Sequence, residues 1–145
     1  MKANPDFYLA LLWKKLMGDI VLAVNFSKPA SDSLRIYSHC APTKGVSFGI
    51  INFSNSSEVF ELIPAFNAPS PRVEYHLTSG EKTVFSQHVQ LNGWPLDLND
   101  HGTVDLLGRL VRDPSEHIRI SPESIVFLHF PEENAPACVG AVSMQ

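Results

Sequence analysis

The sequence has no apolar run long enough to cross a membrane and no block of like charges. Its longest apolar stretch, residues 7–13, is ended by Lys14 and Lys15 well short of the roughly 20 residues that a membrane span needs. A secretory signal peptide carries its positive charges before the apolar stretch, so we expect no signal peptide on this chain. The formal net charge of −4, without a basic patch, argues against nucleic acid as a partner.

Cysteine is also scarce, and the familiar catalytic motifs are absent. Cys40 and Cys138 are the only cysteines, and their spacing fits no CxxC or Cys/His metal motif. From the residues alone they are either one disulfide or two buried thiols. The sequence has no GxSxG, no HExxH and no glycine-rich phosphate loop, so we predict no cofactor.

The composition is that of a folded domain. Hydrophobic residues make up 44% and charged residues 18% of the 145 residues. A chain of this length can bury roughly 68–70% of the surface that it exposes when unfolded, which is enough for a core.

One helix is predicted near the start, because both of its ends carry signals. Asn4 suits the N-cap, Pro5 the first helical position and Gly18 the C-cap, while Lys14 and Lys15 lie near the negative end of the helix dipole. Residues 7–13 are apolar all round the helix, and such a helix must be covered on every side. A lone β-sandwich could cover only one side.

After Gly18 the apolar residues alternate with a period of two, in short runs separated by turn residues. This pattern predicts a mainly β fold, an antiparallel β-sandwich preceded by one α-helix. Residues 97–121 are less regular and are predicted to form a long connection, in which 104–111 is either a strand or a turn of helix. The predicted strands are residues 20–24, 34–40, 46–53, 58–63, 72–78, 85–91 and 124–130.

The sequence predicts no metal site among the histidines, because the predicted strands place them apart from one another. His76 shares a polar strand face with Arg72 and Glu74, which predicts a solvated ring. We predict solvated rings for His76, His88 and His101, and partly buried, hydrogen-bonded rings for His39 and His129.

The densest acidic cluster is Asp97, Asp100 and Asp105. A glycosidase needs two carboxylates about 5–5.5 Å apart for retention, or further apart for inversion. An irregular segment is a poor scaffold for such a pair, so we predict solvated acids and no catalytic residue.

Trp94, beside Pro95, is the one candidate for a sugar-binding platform. A single tryptophan next to a turn more often fixes that turn to the core, which is our prediction here.

Three N-x-S/T triplets begin at Asn25, Asn52 and Asn55 and are candidates for N-glycosylation. Asn55 lies in a Ser/Asn turn and is predicted to be the most accessible, whereas Asn52 lies at a strand end.

Several segments in order resemble glycoside hydrolase family 79, the heparanase-like enzymes, with an ending most similar to the plant members. Residues 4–18 resemble the last helix of the family's catalytic barrel, and residues 51–55, INFSN, resemble its "INLSN" strand and turn. The other similar segments are residues 34–40, 89–93, 121–127 and 135–138.

The resemblance implies a parent with a (β/α)₈ barrel followed by this sandwich, hydrolysing β-glucuronide linkages with retention through two barrel glutamates. Residues 1–18 are then the last barrel helix and residues 19–145 the C-terminal sandwich. Both glutamates precede this sequence, so the chain alone is expected to be inactive. Its partner is the missing catalytic domain, which alone contacts the glycan, and the parent belongs to the secretory pathway.

The resemblance also implies a disulfide between Cys40 and Cys138, since both fall on the family's cysteine positions and its members are secreted. The alternative function is a free-standing secreted sandwich that binds glycans or proteins, favoured by Trp94 and the glycosylation triplets.

Overall fold

The computed structural model describes residues 3–26, 31–60, 70–81, 83 and 85–139, without the side chains of residues 59 and 60. Within them lie two helices, α1 (Pro5–Leu16) and α2 (Pro136–Val139). The ten strands are β1 (Val21–Leu22), β2 (Leu34–Cys40), β3 (Val46–Asn52), β4 (Glu58–Phe60), β5 (Arg72–Ser79), β6 (Val89–Leu91), β7 (Trp94–Pro95), β8 (Arg109–Val111), β9 (Ile118–Ile120) and β10 (Ser124–Phe130).

Eight strands form one antiparallel sheet in the order β1-β2-β3-β10-β5-β6-β7. Strand β8 pairs with the first half of β5, and β6 pairs with its second half. Strands β4 and β9 form a separate antiparallel pair. The mainly antiparallel β fold with one N-terminal helix, predicted from the two-residue period, is confirmed.

One face of the large sheet packs against α1. Tyr8, Leu12 and Leu16 are spaced four residues apart and therefore form one buried stripe of the helix. This stripe packs on side chains of β5 and β10, among them Tyr75 and Phe127. We call this face of the sheet the α1 side.

The opposite face of the sheet packs against β9. Ile50 of β3 and Val126 and Leu128 of β10 contact Ile118 and Ile120, and all five are almost completely buried. The large sheet thus has an apolar core on both of its faces, which explains why its central strands β3 and β10 are apolar nearly throughout.

The ends of α1 differ from the prediction. Asn4 makes no side-chain capping hydrogen bond, and the C-cap is Met17, whose N–H donates to the carbonyl of Trp13. Gly18 is not in the left-handed conformation that a C-terminal glycine adopts. A Cβ atom on Gly18 would lie 2.5 Å from the carbonyl oxygen of Cys40, so a close backbone approach requires this glycine.

The irregular segment 97–121 contains two strands, β8 and β9, that the sequence did not identify individually. Each has three residues, too few to show an alternating pattern. The predicted strand 85–91, in contrast, is longer than the observed one: only Val89–Leu91 form a strand, and Phe85 is 91% exposed. Residues 61–63 of the predicted fourth strand lie outside the described residues.

Candidate functional site

The strongest cluster of charged groups is a row on β5. Arg72, Glu74 and His76 alternate along the strand and share the face that turns away from α1, because Val73, Tyr75 and Leu77 occupy the α1 side. Arg72 Nε lies 2.8 Å from Glu74 Oε1, and His76 Nε2 lies 2.8 Å from Glu74 Oε2. The side chains of Arg72 and Glu74 are only 3% and 2% exposed.

Two residues outside β5 complete this row, which we call the Glu74 network. Arg109 of β8 donates from Nη2 to Glu74 Oε2 at 3.0 Å and to Glu116 Oε1 at 2.9 Å. Arg72 Nη2 donates to the backbone carbonyl of Glu116 at 2.7 Å. The network therefore ties β5 to β8 and to the loop before β9.

The carboxyl of Glu74 is the most perturbed group in the network. Burial acts to raise its pKa, but hydrogen bonds from His76, Arg109 and Arg72 outweigh burial and lower the pKa to about 2. Glu74 is therefore an anion at any physiological pH.

An anion whose two oxygens are already occupied cannot act as a general acid, and a carboxylate shielded from solvent by its partners is badly placed as a nucleophile. We conclude that the Glu74 network is structural. The prediction of a solvated His76 ring is wrong, because its side chain is only 20% exposed and its Nε2 bonds the buried carboxylate of Glu74. The sequence did contain a signal for this burial, the alternation of Arg72, Glu74 and His76. Their opposite charges can neutralise one another when the side chains are buried.

The remaining predictions for histidine agree with the structure. His88 and His101 are exposed, and His88 pairs with Glu81 at 3.0 Å. His39 Nδ1 lies 2.6 Å from the carbonyl oxygen of Gly18, and His129 Nδ1 lies 3.0 Å from Ser47 Oγ. Within the described residues, no group of three His, Cys, Asp or Glu side chains could hold a metal ion.

The acids of the long connection, Asp97, Asp100 and Asp105, are all exposed, as predicted for solvated loop acids. Trp94 differs from its prediction: it is 78% exposed and does not fix its turn to the core. It follows the Asn92–Gly93 turn between β6 and β7, where both turn residues have positive φ, and this tight hairpin places the indole outside the packed layer.

Cys40 at the end of β2 and Cys138 in α2 form a disulfide with a Cα–Cα distance of 5.4 Å across 98 residues of chain. Both are buried, in a small cluster with Val46 and Ala135. The disulfide therefore attaches the C-terminal helix to the large sheet.

The three glycosylation candidates lie in different surroundings. Asn25 and Asn55 are exposed, whereas Asn52 is 1% exposed. The amide of Asn52 donates to the carbonyls of Ser56 and Ser121, at 2.9 and 3.0 Å, and accepts from the N–H of Ser54 at 2.9 Å.

The α1 side of the sheet also carries large exposed apolar side chains. In an antiparallel pair, residues directly opposite each other share a face. Val21 is opposite His39, whose ring contacts Trp13 of α1, so Val21 lies on the α1 side. By the same rule Trp94 and Leu110 lie there, since Trp94 is opposite Leu91 and Leu110 is opposite Val73, and Leu91 and Val73 both belong to the α1 core.

We call this set the α1-side apolar surface and define it by six residues. Val21 is 70%, Trp94 78% and Leu110 50% exposed, while the helix itself leaves about two fifths of Phe7 and Trp13 exposed. A groove of about 770 Å³ runs beside Trp13 between α1 and the end of β2. The six residues are Phe7, Trp13, Val21, Tyr37, Trp94 and Leu110.

Within the described residues, no helix is long and apolar enough to cross a membrane. No family model matches the chain. The comparison with curated proteins, in contrast, gives relatives over nearly the whole sequence.

Baicalin-β-D-glucuronidase of Scutellaria baicalensis is 35% identical over 129 residues, covering 88% of this chain and 24% of the relative. Heparanase-like protein 3 of Arabidopsis thaliana is 32% identical over 161 residues, covering 93% of this chain and 30% of the relative. Inactive heparanase-2 of Homo sapiens is 33% identical and covers 92% of this chain and 25% of the relative. The chain thus spans 24–30% of the length of these relatives, and over that length it belongs to glycoside hydrolase family 79, the heparanase-like proteins.

Proposed function

We propose that this chain is the accessory C-terminal β-sandwich of a heparanase-like retaining β-glucuronidase. In the full-length parent, hydrolysis of the glucuronide O-glycosyl bond takes place in a (β/α)₈ catalytic domain outside this chain. Residues 1–18 act as the last helix of that barrel, and residues 19–145 form the accessory domain. The parent belongs to the secretory pathway.

The observation that carries the proposal is the α1-side apolar surface. Val21, Trp94 and Leu110 expose half or more of their side chains on one side of the sheet, together with Trp13 of α1. Large exposed apolar side chains on the face that α1 already covers in part are suited to burial by a further layer of protein. The relatives are more than three times longer than the matched segment. In a parent of that length, the rest of the same chain is available to cover this face.

The distribution of carboxylates supports a non-catalytic role. Glycoside hydrolysis requires an acid and a second carboxylate on either side of the bond. Glu74 is saturated by its partners, and Asp97, Asp100 and Asp105 lie on an exposed connection without a rigid partner. Neither Glu74 nor these three acids therefore form a positioned catalytic pair.

A direct test is the assay of the purified chain on an aryl β-glucuronide, which should give the rate of buffer alone. The matched control is an Asp97→Asn, Asp100→Asn variant, which should behave identically. Turnover by the unmodified purified chain that this variant abolishes would contradict the accessory role.

A second test asks whether the chain completes a catalytic segment. Heparanase-like protein 3 lacking the 30% matched by this chain is co-expressed with the chain, and co-purification is measured. We expect the unmodified chain to co-purify, and a Val21→Ser, Trp94→Ser, Leu110→Ser variant to be lost from the complex. The matched control changes exposed apolar residues that the α1-side apolar surface does not include, Phe85→Ser and Leu107→Ser, and should still co-purify.

A second candidate function is a free-standing secreted sandwich that binds glycans or proteins, and the exposure of Trp94 favours it. An indole that is 78% exposed offers a flat apolar face to a sugar ring. Under this alternative the isolated chain should bind glucuronate-bearing oligosaccharides in calorimetry, and Trp94→Ala should abolish binding. If the chain has the accessory function instead, neither the unmodified chain nor the Trp94→Ala variant should bind these oligosaccharides.

A further inference from the structure

We propose that Asn92 is a deamidation site that folding protects, and that its conversion to aspartate or isoaspartate, once the β6–β7 hairpin opens, prevents the hairpin from closing again. Asn92 is the only asparagine in the sequence that is followed by glycine. Glycine has no Cβ atom to hinder attack by its backbone nitrogen on the preceding side chain. This chemistry needs no enzyme and no partner, so it is independent of the proposed function.

The reaction joins the two residues of the hairpin turn. The backbone nitrogen of Gly93 loses its proton to hydroxide and attacks Cγ of Asn92. The Cγ–Nδ2 bond then breaks, and Nδ2 takes a proton from water and leaves as ammonia, which regenerates the hydroxide. Water opens the resulting cyclic imide at Cγ to give aspartate, or at the backbone carbonyl carbon of Asn92 to give isoaspartate.

In the folded chain, hydrogen bonds hold the side-chain amide of Asn92 on three sides. Asn92 has a φ of 51°, and its side chain extends the pairing with β5 beyond Leu91, where β6 ends. Its Oδ1 accepts from the N–H of His76 at 2.9 Å, and its own N–H donates to the carbonyl of His76 at 2.9 Å. Its Nδ2 donates to the carbonyl oxygens of Glu74 at 3.1 Å and Leu107 at 3.2 Å.

These bonds lie where β5 changes its neighbour. Strand β8 pairs with Arg72–Glu74, whereas β6 pairs with Leu77–Ser79. The amide of Asn92 bonds Glu74 and His76 between these two pairings and also Leu107, just before β8. It therefore connects the hairpin, β5 and the start of β8 through one side chain.

The same bonds keep the amide from reacting. Attack requires Cγ of Asn92 to turn its face toward the nitrogen of Gly93, and this rotation breaks the side-chain bonds to β5 and to Leu107. Both partners of Nδ2 are carbonyl oxygens, which accept hydrogen bonds and cannot supply the proton that the leaving ammonia needs. The reaction therefore requires local opening of the hairpin.

Neither product can restore the bonds of Asn92. Aspartate has no hydrogen to donate, so a carboxylate oxygen would face the carbonyl oxygens of Glu74 and Leu107. Isoaspartate adds one atom to the backbone of a turn that joins the directly paired residues Leu91 and Trp94. Both changes oppose closure of the hairpin that positions Trp94.

The first test compares the reaction in the folded and the unfolded chain. The whole chain, with its disulfide intact, is incubated at mildly alkaline pH in buffer and in guanidinium chloride above the unfolding midpoint. A synthetic peptide of residues 88–97 in both solutions corrects for direct effects of the denaturant. Mass spectrometry detects the replacement of NH by O at residue 92, and methyl transfer from S-adenosylmethionine by an isoaspartyl methyltransferase detects isoaspartate.

We expect Asn92 to react at least about tenfold more slowly in the folded chain, because three side-chain hydrogen bonds must open first. Equal corrected rates in the folded and the unfolded chain would overturn the protection by folding.

The second test examines the product, with Asn92→Asp as its imitation and Asn99→Asp as the matched control. Asn99 undergoes the same chemical change in an exposed turn. There Oδ1 accepts from the N–H groups of His101 and Thr103, and Nδ2 bonds the hydroxyl of Thr103, which can reverse and donate to a carboxylate.

Hydrogen exchange of residues 89–96 reports the hairpin, because the N–H groups of Asn92 and Leu96 are bonded across it and to β5. Exchange should be at least about tenfold faster in Asn92→Asp than in the unmodified chain, and unchanged in Asn99→Asp. An Asn92→Asp chain that does not fold, while Asn99→Asp folds, also supports the proposal. If Asn92→Asp folds with unchanged protection of residues 89–96, the product is tolerated in the turn and the proposal is overturned.

Discussion

Arg109 of β8 donates from Nη2 to Oε2 of Glu74 on β5, at 3.0 Å across the sheet. The Arg109 side chain is 53% exposed, whereas that of Glu74 is 2% exposed. The pair therefore links a buried anion to the surface. Because β8 has only three residues and pairs with β5 alone among the described strands, this link and the bond to Glu116 are central to its attachment.

Replacing Glu74 with glutamine should strongly destabilise the fold. The change keeps the shape but leaves Arg72 buried without a counterion, and breaking a buried ion pair typically costs about 3–5 kcal/mol. The free energy of unfolding should be measured by urea titration. Glu116→Gln is the matched control, since Glu116 is 47% exposed and exposed pairs contribute about 0–1 kcal/mol. Equal losses in the two variants would show that the Glu74 network does not act as a buried pair.

Acid should reduce stability in two separate pH ranges. Burial lowers the pKa of His129, so the folded state favours the neutral ring, and stability falls as the pH drops below about 6.5, where the unfolded histidine takes up a proton. The pKa of Glu74 is lowered to about 2, so its contribution is present above about 4.3 and is lost as the pH falls from there toward 2.

This assignment can be checked by measuring unfolding free energy from pH 8 to pH 2. His129→Gln should flatten the upper range and leave the lower one, and Glu74→Gln should flatten only the lower range. A profile that neither variant alters would contradict both assignments.

Residues whose environment follows from a local pattern were predictable, and residues whose environment depends on a distant partner were not. Short β-rich runs bounded by turn residues identified β2, β3, β5 and β10, and the spacing of Tyr8, Leu12 and Leu16 gives α1 its buried stripe. His76 was misjudged because its partner Glu74 is also bound by Arg109, which lies 35 residues beyond Glu74 in a strand too short to recognise. Trp94 was misjudged because only the hairpin geometry shows that no second layer covers it.

The helix α1 belongs to the core of this chain, although the sequence suggested that it needs cover from elsewhere. Leu12 is completely buried against the large sheet, so Leu12→Ala should cost about 2–5 kcal/mol of unfolding free energy. Ala10→Ser, on the exposed side of the same helix, is the control and should cost little. If deletion of residues 1–17 raised the yield of monomer without lowering stability, α1 would not be a core element.

Gly45 lies in the turn between β2 and β3 and should not tolerate a side chain. Its φ is +93°, and a Cβ atom would lie 2.1 Å from the carbonyl oxygen of Phe130 and 2.7 Å from the Cα of Pro131, which are backbone atoms. Strain and overpacking together make Gly45→Ala destabilising by about 2–4 kcal/mol. Gly49→Ala is the control, because its nearest neighbour would lie at 3.4 Å, an ordinary contact. Thermal unfolding of the two variants should separate them clearly.

The disulfide between Cys40 and Cys138 should contribute a large part of the stability of this chain. It closes a loop of 98 residues, which corresponds to about 4–5 kcal/mol in the chain-entropy model, against a total of about 5–15 kcal/mol for a typical domain. Reductant should therefore lower the urea midpoint of the unmodified chain, and a Cys40→Ser, Cys138→Ser variant should start lower and show no response to reductant. Peptide mapping without reductant, on protein made in an oxidising compartment, should find the two cysteine peptides linked. Two alkylatable thiols in the folded protein would show that the pair is not formed, and the packing of Ala135 and Cys138 against Val46 would then have to fix the C-terminal helix alone.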